Sequence, residues 1–197
     1  MLQSKQRLLQ LNAKLAETLT SKGVTATADE TTTALVDKVS DIASGDDSVL
    51  RDLIQRNLTE IVIPDGVTVI GANIFYQCTK LKSVTISGSV NNVSTLAFGN
   101  CTSLKNLTIL SKKASFMDSA FRNCTALEYV YLPFNFNSKL NLSASNLFTR
   151  ETIVNWLNAL ADRTGTTANI LGIGAPNIAK LTEEDILIAT NKNWTLA

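Results

Sequence analysis

Leu58, Leu81, Leu104 and Leu127 stand 23 residues apart, and Phe75, Phe98 and Phe121 keep the same step, as do Cys78, Cys101 and Cys124. A period of that length is the mark of a solenoid, because a unit this small cannot bury its apolar side without a stacked neighbour. Each unit opens on the pattern Leu-x-x-apolar-x-apolar: Leu58, Ile61, Ile63; Leu81, Val84, Ile86; Leu104, Leu107, Ile109; Leu127, Val130, Leu132. The apolar step of two within that pattern predicts a short strand with one face inward. A turn follows, shown by Pro64-Asp65-Gly66 in the first unit,. Val67 and Ile70, Val90 and Val93, and Lys113 and Phe116 come next at equivalent places, the lysine marking drift in the third unit. The unit closes on Ile74-Phe75, Ala97-Phe98 or Ala120-Phe121 before its cysteine.

The 197 residues are 45% apolar, which predicts a folded chain rather than a disordered one,. With 18 basic and 17 acidic side chains the net charge is +1. No global field attracts nucleic acid or an anionic membrane, so neither is an expected partner. The start of the chain runs straight into an amphipathic pattern, and no stretch has the quality of a signal peptide or a membrane span,. Export through a leader and membrane insertion are therefore not expected. Histidine is absent, which removes the commonest general base and the commonest metal ligand,. Serines and threonines are plentiful, but no histidine accompanies them, and the chain reads as non-enzymatic, without a cofactor or metal.

The cysteines are preceded by Gln77, Asn100 and Asn123 and followed by Thr79, Thr102 and Thr125. Stacked coils would set equivalent side chains about 4.8 Å apart and pointing the same way, whereas a disulfide needs Cβ atoms roughly 3.8 Å apart and facing each other. Three buried thiols acting as small hydrophobes is the favoured reading. A disulfide or a metal role is the alternative.

Three regions separate. Residues 1–47 read as a helical attachment and oligomerisation segment: Leu8, Leu11, Leu15 and Leu19 line a first helix that Gly23 ends, and Asp29 caps a second carrying Leu35, Val36, Val39 and Ile42,. Residues 48–135 form the repeat array, opened by a capping helix with Leu50, Leu53 and Ile54. Residues 136–197 leave the period and read as an α/β capping region. There Leu140 and Leu142 suggest a strand, Thr149 caps a helix bearing Ile153, Val154, Trp156, Leu157, Leu160 and Ala161, and Asn169 to Gly174 is a strand,. Thr182 and Asp185 have capping-box-like spacing before Ile186, Leu187 and Ala189, and Trp194 to Ala197 is a last strand,. The fold class is α+β: a short solenoid, helices before it and an α/β cap after it.

The string from Leu58 to Leu81, and Ala-Phe-x-Asn-Cys-Thr-x-Leu at 97–104 and again at 120–127, closely resemble BspA-type leucine-rich repeats. The resemblance implies a right-handed leucine-rich-repeat solenoid of 23-residue repeats with a parallel sheet on one side, and a protein that binds rather than catalyses. It also implies the company of bacterial surface proteins, parasite surface proteins and phage or prophage virion proteins. Residues 15–26 and 33–42 are similar to N-terminal helical segments of phage tail proteins, and residues 189–197 resemble the ends of repeat-bearing proteins encoded among phage tail genes.

Side chains alternate across a strand, so the third and fifth positions of each unit point away from the core. These are Glu60 and Val62, Ser83 and Thr85, Asn106 and Thr108, and Tyr129 and Tyr131. They form the candidate partner-binding face, polar at one end and aromatic at the other. Tyr129 and Tyr131, with Phe134 and Phe136 nearby, are read as packing beneath the C-terminal helix; stacking on sugar rings or anchoring a protein partner is the alternative. Gly172-Ile-Gly174 lacks the third glycine of a phosphate loop,. Glu183, Glu184 and Asp185 are read as complementing a helix dipole, not as a cation site. The sequons at Asn57 and Asn123 are read as parts of the repeat.

Function is thus expected to lie in a displayed surface. The first reading is a phage virion structural protein of the tail, baseplate or fibre, held to other virion proteins or to copies of itself through the N-terminal helices, with a host surface protein or glycan on the exposed face. Phage lysis needs no export signal. The second is a bacterial cell-surface adhesin.

Overall fold

A computed structural model of the protein describes residues 58–197. The helices expected within residues 1–57, and with them Leu8, Leu11, Leu15 and Leu19, lie outside the described residues.

Each unit contributes two short strands. The first set is β1 (Glu60–Ile63), β3 (Ser83–Ile86), β5 (Asn106–Ile109) and β7 (Tyr129–Tyr131), and the second is β2 (Val69–Ile70), β4 (Asn92–Val93) and β6 (Ser115–Phe116). The first set forms a four-stranded sheet in the order β1-β3-β5-β7, the second a three-stranded sheet in the order β2-β4-β6. All pairs are parallel, and the register follows the sequence period: Glu60 lies beside Ser83, Ser83 beside Asn106, and Asn106 beside Tyr129. A parallel ladder between like positions is what a solenoid requires, since every coil repeats the last one.

The core lies between these sheets. The strands of the first sheet alternate between exposed or half-buried and buried positions, and Leu58, Leu81, Leu104 and Leu127 are buried beside them. Phe75, Phe98 and Phe121 stack with centroids 5.1 and 5.5 Å apart and interplanar angles of 16° and 4°. The column turns through Phe116, 6.1 Å from Phe121, to Phe136, 6.3 Å further on, and reaches Trp194 at 6.5 Å. Stacked and tilted pairs at these separations add to plain burial.

Cys78, Cys101 and Cys124 are buried and unpaired. Cys101 donates to the Phe75 carbonyl at 3.2 Å and Cys124 to the Phe98 carbonyl at 3.1 Å. These two thiols therefore satisfy backbone acceptors one coil back while filling space. The residue before each cysteine has a left-handed backbone, with φ of 61° at Gln77, 59° at Asn100 and 60° at Asn123. Asparagine tolerates that region well, which accounts for the residue before two of the three cysteines, Asn100 and Asn123. Its side chain is then free to ladder: Asn123 donates to Asn100 at 2.7 Å, and Asn100 to the Tyr76 hydroxyl at 2.8 Å. The lysine of the third unit is explained too. Lys113 is exposed, and Ala114 is buried beside it.

Beyond β7 the chain builds a different layer: β8 (Leu140–Asn141), α1 (Arg150–Ala159), β9 (Asn169–Gly172), the four-residue helix α2 (Ala175–Ile178), α3 (Glu183–Asn191) and β10 (Trp194–Leu196). The strands form a parallel sheet in the order β10-β9-β8. Thr149 caps α1 by accepting from the Thr152 N–H, and Ile153, Trp156 and Leu157 are its buried residues. Leu160 and Ala161, expected inside the helix, follow its end. α2 was not expected; Gly174, at φ 77°, precedes it, and a Cβ there would sit 3.2 Å from the Ser143 carbonyl oxygen. Gly172-Ile-Gly174 thus serves a close backbone approach. The capping box on α3 is present, with Asp185 buried and Leu187 exposed, so the inward face is Asp185 and Ala189 rather than Leu187.

Two lysines tie this layer together. Lys192 donates to the carbonyls of Leu157, Asn158 and Leu160 at 3.0, 2.8 and 3.0 Å, which supplies the C-terminus of α1 with a cation,. Burial lowers its pKa. Lys180 donates to the Asn146 and Phe148 carbonyls, both at 2.7 Å.

Candidate interaction surface

The outward positions of the first sheet form two rows. Glu60, Ser83, Asn106 and Tyr129 make one and Val62, Thr85, Thr108 and Tyr131 the other, each residue beside its equivalent in the next strand. The strand pleat puts them all on the side opposite the buried residues. Glu60, Val62 and Asn106 are exposed, while Ser83, Thr85 and Thr108 are half-buried between their neighbours.

The aromatic end departs from the sequence expectation. Tyr129 and Tyr131 are 65% and 54% exposed, and Phe134 is 70% exposed; only Phe136 is buried. The packing expected beneath the C-terminal helix is therefore corrected for three of these four rings. The reason lies in where α1 goes. Trp156 reaches the edge of β7 and donates its indole N–H to the Val130 carbonyl at 2.7 Å. An edge carbonyl gains a partner, and the outward face of β7 stays open.

Leu110 belongs to the same surface and was missed. It is two residues past Thr108 and 45% exposed, so the alternation that located Asn106 and Thr108 would have found it,. A flanking ion pair joins Lys105 to Glu128 at 3.1 Å across adjacent coils.

Elsewhere several polar groups are committed to structure. Arg150 grips Asp185 with two bonds of 2.7 Å each, while the Thr182 backbone N–H donates to the same carboxylate at 2.8 Å. Arg150 first, and that N–H next, hold the Asp185 carboxyl below the usual range. At Cys101 the hydrogen-bonding contact with Cys124 favours the thiolate, but the contact with Cys78 and burial outweigh it and push the pKa up. Hydrogen bonding with Cys101 and burial push Cys124 up as well. Both thiols are held neutral, the opposite of an activated nucleophile. Among the described residues no cluster of cysteine and acidic side chains has the arrangement of a metal site, and no helix is long and apolar enough to cross a membrane. A cleft of about 440 Å³ lies away from the outward face, at the β6 edge between Lys113 to Asp118 and Asn137 to Lys139.

The family model described as BspA type leucine rich repeat region (6 copies) matches residues 54–155, just over half of the chain. The chain belongs to this family. No curated protein matches it, and no solved structure does either. In this BspA-type protein the matched span covers both strand ladders and the phenylalanine and cysteine columns, and it runs on through most of α1. The period has faded before that last element, so family membership extends past the coils that the leucine spacing marks.

Proposed function

We propose that the chain is a non-enzymatic virion structural protein, a tail, baseplate or fibre component of a phage, whose repeat sheet is displayed for binding a host surface. The observation that carries the display reading is the exposed face of β1, β3, β5 and β7, which closes on two uncovered tyrosines. Exposed aromatic residues of this kind mark interaction sites. The virion reading draws on residues 15–26, 33–42 and 189–197, which resemble segments of phage tail proteins. Attachment is assigned to the N-terminal segment with Leu8, Leu11, Leu15 and Leu19, joined to other virion proteins or to further copies of the chain.

Mass spectrometry of particles purified from an induced lysate tests the assignment. Peptides of this chain at a stoichiometry matching other tail components are expected. Their absence from particles, together with recovery by surface shaving of intact cells, would replace the virion reading with that of a bacterial cell-surface adhesin.

A further inference from the structure

The face formed by Tyr129, Tyr131, Asn106, Thr108, Ser83 and Thr85 has a chemistry that narrows its partner, and this inference rests on the reading of that face as a binding surface. We propose that it is a binding site for a neutral, extended glycan chain lying across the strands, with one sugar at the β7 end stacked on the Tyr129 and Tyr131 pair and the hydroxyls of the following sugars bonded to the polar rows.

Three observations lead there. The central rungs carry hydroxyls and an amide without a formal charge, and of the eight outward residues only Glu60, at the far end, is ionic. A charged polymer finds no opposite charge on the central rungs themselves, whereas a neutral polyol finds both donors and acceptors there. The tyrosines are i and i+2 on one strand, both more than half exposed, and so share one face. The negative π-face of a phenol ring attracts the polarised C–H groups on one side of a pyranose, and its hydroxyl remains available for a hydrogen bond. Finally, the parallel register puts Thr85, Thr108 and Tyr131 in one row, and Ser83, Asn106 and Tyr129 in the other. The rungs advance by about 4.8 Å, close to the advance of one sugar along an extended β-linked chain, so a glycan lying across the strands meets one rung per residue.

A folded protein fits less well. Protein hot spots are large side chains seated in desolvated pockets, whereas Tyr129 and Tyr131 stand on an open strand face, 65% and 54% exposed. The tyrosines continue into Asn106 and Thr108, and Leu110 lies only at the border of those polar rows.

The test uses the full chain with cellopentaose and N-acetylchitopentaose as neutral probes and a sulfated oligosaccharide as the charged one, read by calorimetry, alongside binding to host cells before and after periodate treatment. At least one neutral probe is expected to bind, with little dependence on salt, and Tyr129→Ala or Tyr131→Ala should weaken it roughly tenfold. Tyr131→Phe should retain stacking and most of the affinity. Both tyrosines are exposed, so unchanged thermal unfolding of the Ala variants confirms that folding is intact. Failure of both neutral probes to bind, or neutral binding that survives the double Ala variant, overturns the inference. Loss of cell binding in the Ala variants with full resistance to periodate also overturns it in favour of a protein partner, yet leaves the display reading standing. If the chain binds neither cells nor sugars, both fall.

Discussion

The rings of Phe98 and Phe121 lie 5.5 Å apart and within 4° of parallel, one coil above the other. Phe98 also stacks on Phe75 from the other side, so it is the middle member of the column. Phe98→Ala removes contacts to two coils at once and should cost about 3–5 kcal/mol. Urea unfolding would show this as a lower midpoint; a loss under about 1 kcal/mol would mean that the column is not a main support.

The thiols offer a second check. Cys78, Cys101 and Cys124 are all buried, and hydrogen bonding and burial push Cys101 and Cys124 toward the neutral form. An aromatic disulfide reagent at mildly alkaline pH should find no rapidly reacting thiol in the native protein, and three in denaturant,. Fast native labelling at any of the three would contradict the column.

Asp185 and Arg150 predict an acid limb. The carboxyl is held ionised to lower pH when folded than when unfolded, because Arg150 and the Thr182 N–H favour its charged form. Between the two pKa values the unfolded chain binds more protons, so stability falls as the pH drops. The contribution is fully present above the ordinary carboxylate value of about 3.9 and disappears as the pH falls through the depressed folded value. Asp185→Asn should flatten that part of a plot of unfolding midpoint against pH. An unchanged slope would show that other carboxylates dominate it.

Leu96 has φ of 54°, a strained value for leucine, and its side chain occupies the space that Gly99 leaves open: a Cβ on Gly99 would come within 2.7 Å of Leu96 Cδ2. Gly99→Ala should cost about 1–3 kcal/mol through this crowding. In a Leu96→Ala background the same change should cost less, because the 2.7 Å contact is gone and only the approaches to Tyr76 Cδ2 at 3.1 Å and to the residue 96 Cβ at 3.2 Å remain. The double-mutant cycle measures the coupling, and additive effects would exclude it.

The proposed attachment role makes a separate prediction for Leu11 and Leu15. Light scattering should find the full chain oligomeric and a Leu11→Asp, Leu15→Asp variant monomeric, with the unfolding of the repeat sheet little changed. A monomeric parent chain would remove the N-terminal segment from assembly.

The repeating positions were legible before any coordinates because each coil obeys the same local rules. A step of two places Ile61, Val84, Leu107 and Val130 inside and Glu60, Ser83, Asn106 and Tyr129 outside, and stacking like on like converts sequence period into register,. The cap at Thr149 and the box of Thr182 with Asp185 were equally local, each closing within three residues. Long-range packing had no such signature. Nothing periodic says that Arg150 will meet Asp185, that Lys192 will close the end of α1, or that Leu187 will face out while Asp185 faces in. The uncovered tyrosines belong to this second kind. Alternation sent Tyr129 and Tyr131 outward, but their exposure depended on Trp156 binding the β7 edge instead of α1 lying across the sheet. That choice is made by the fit of one surface against another, which side-chain spacing along the chain does not encode.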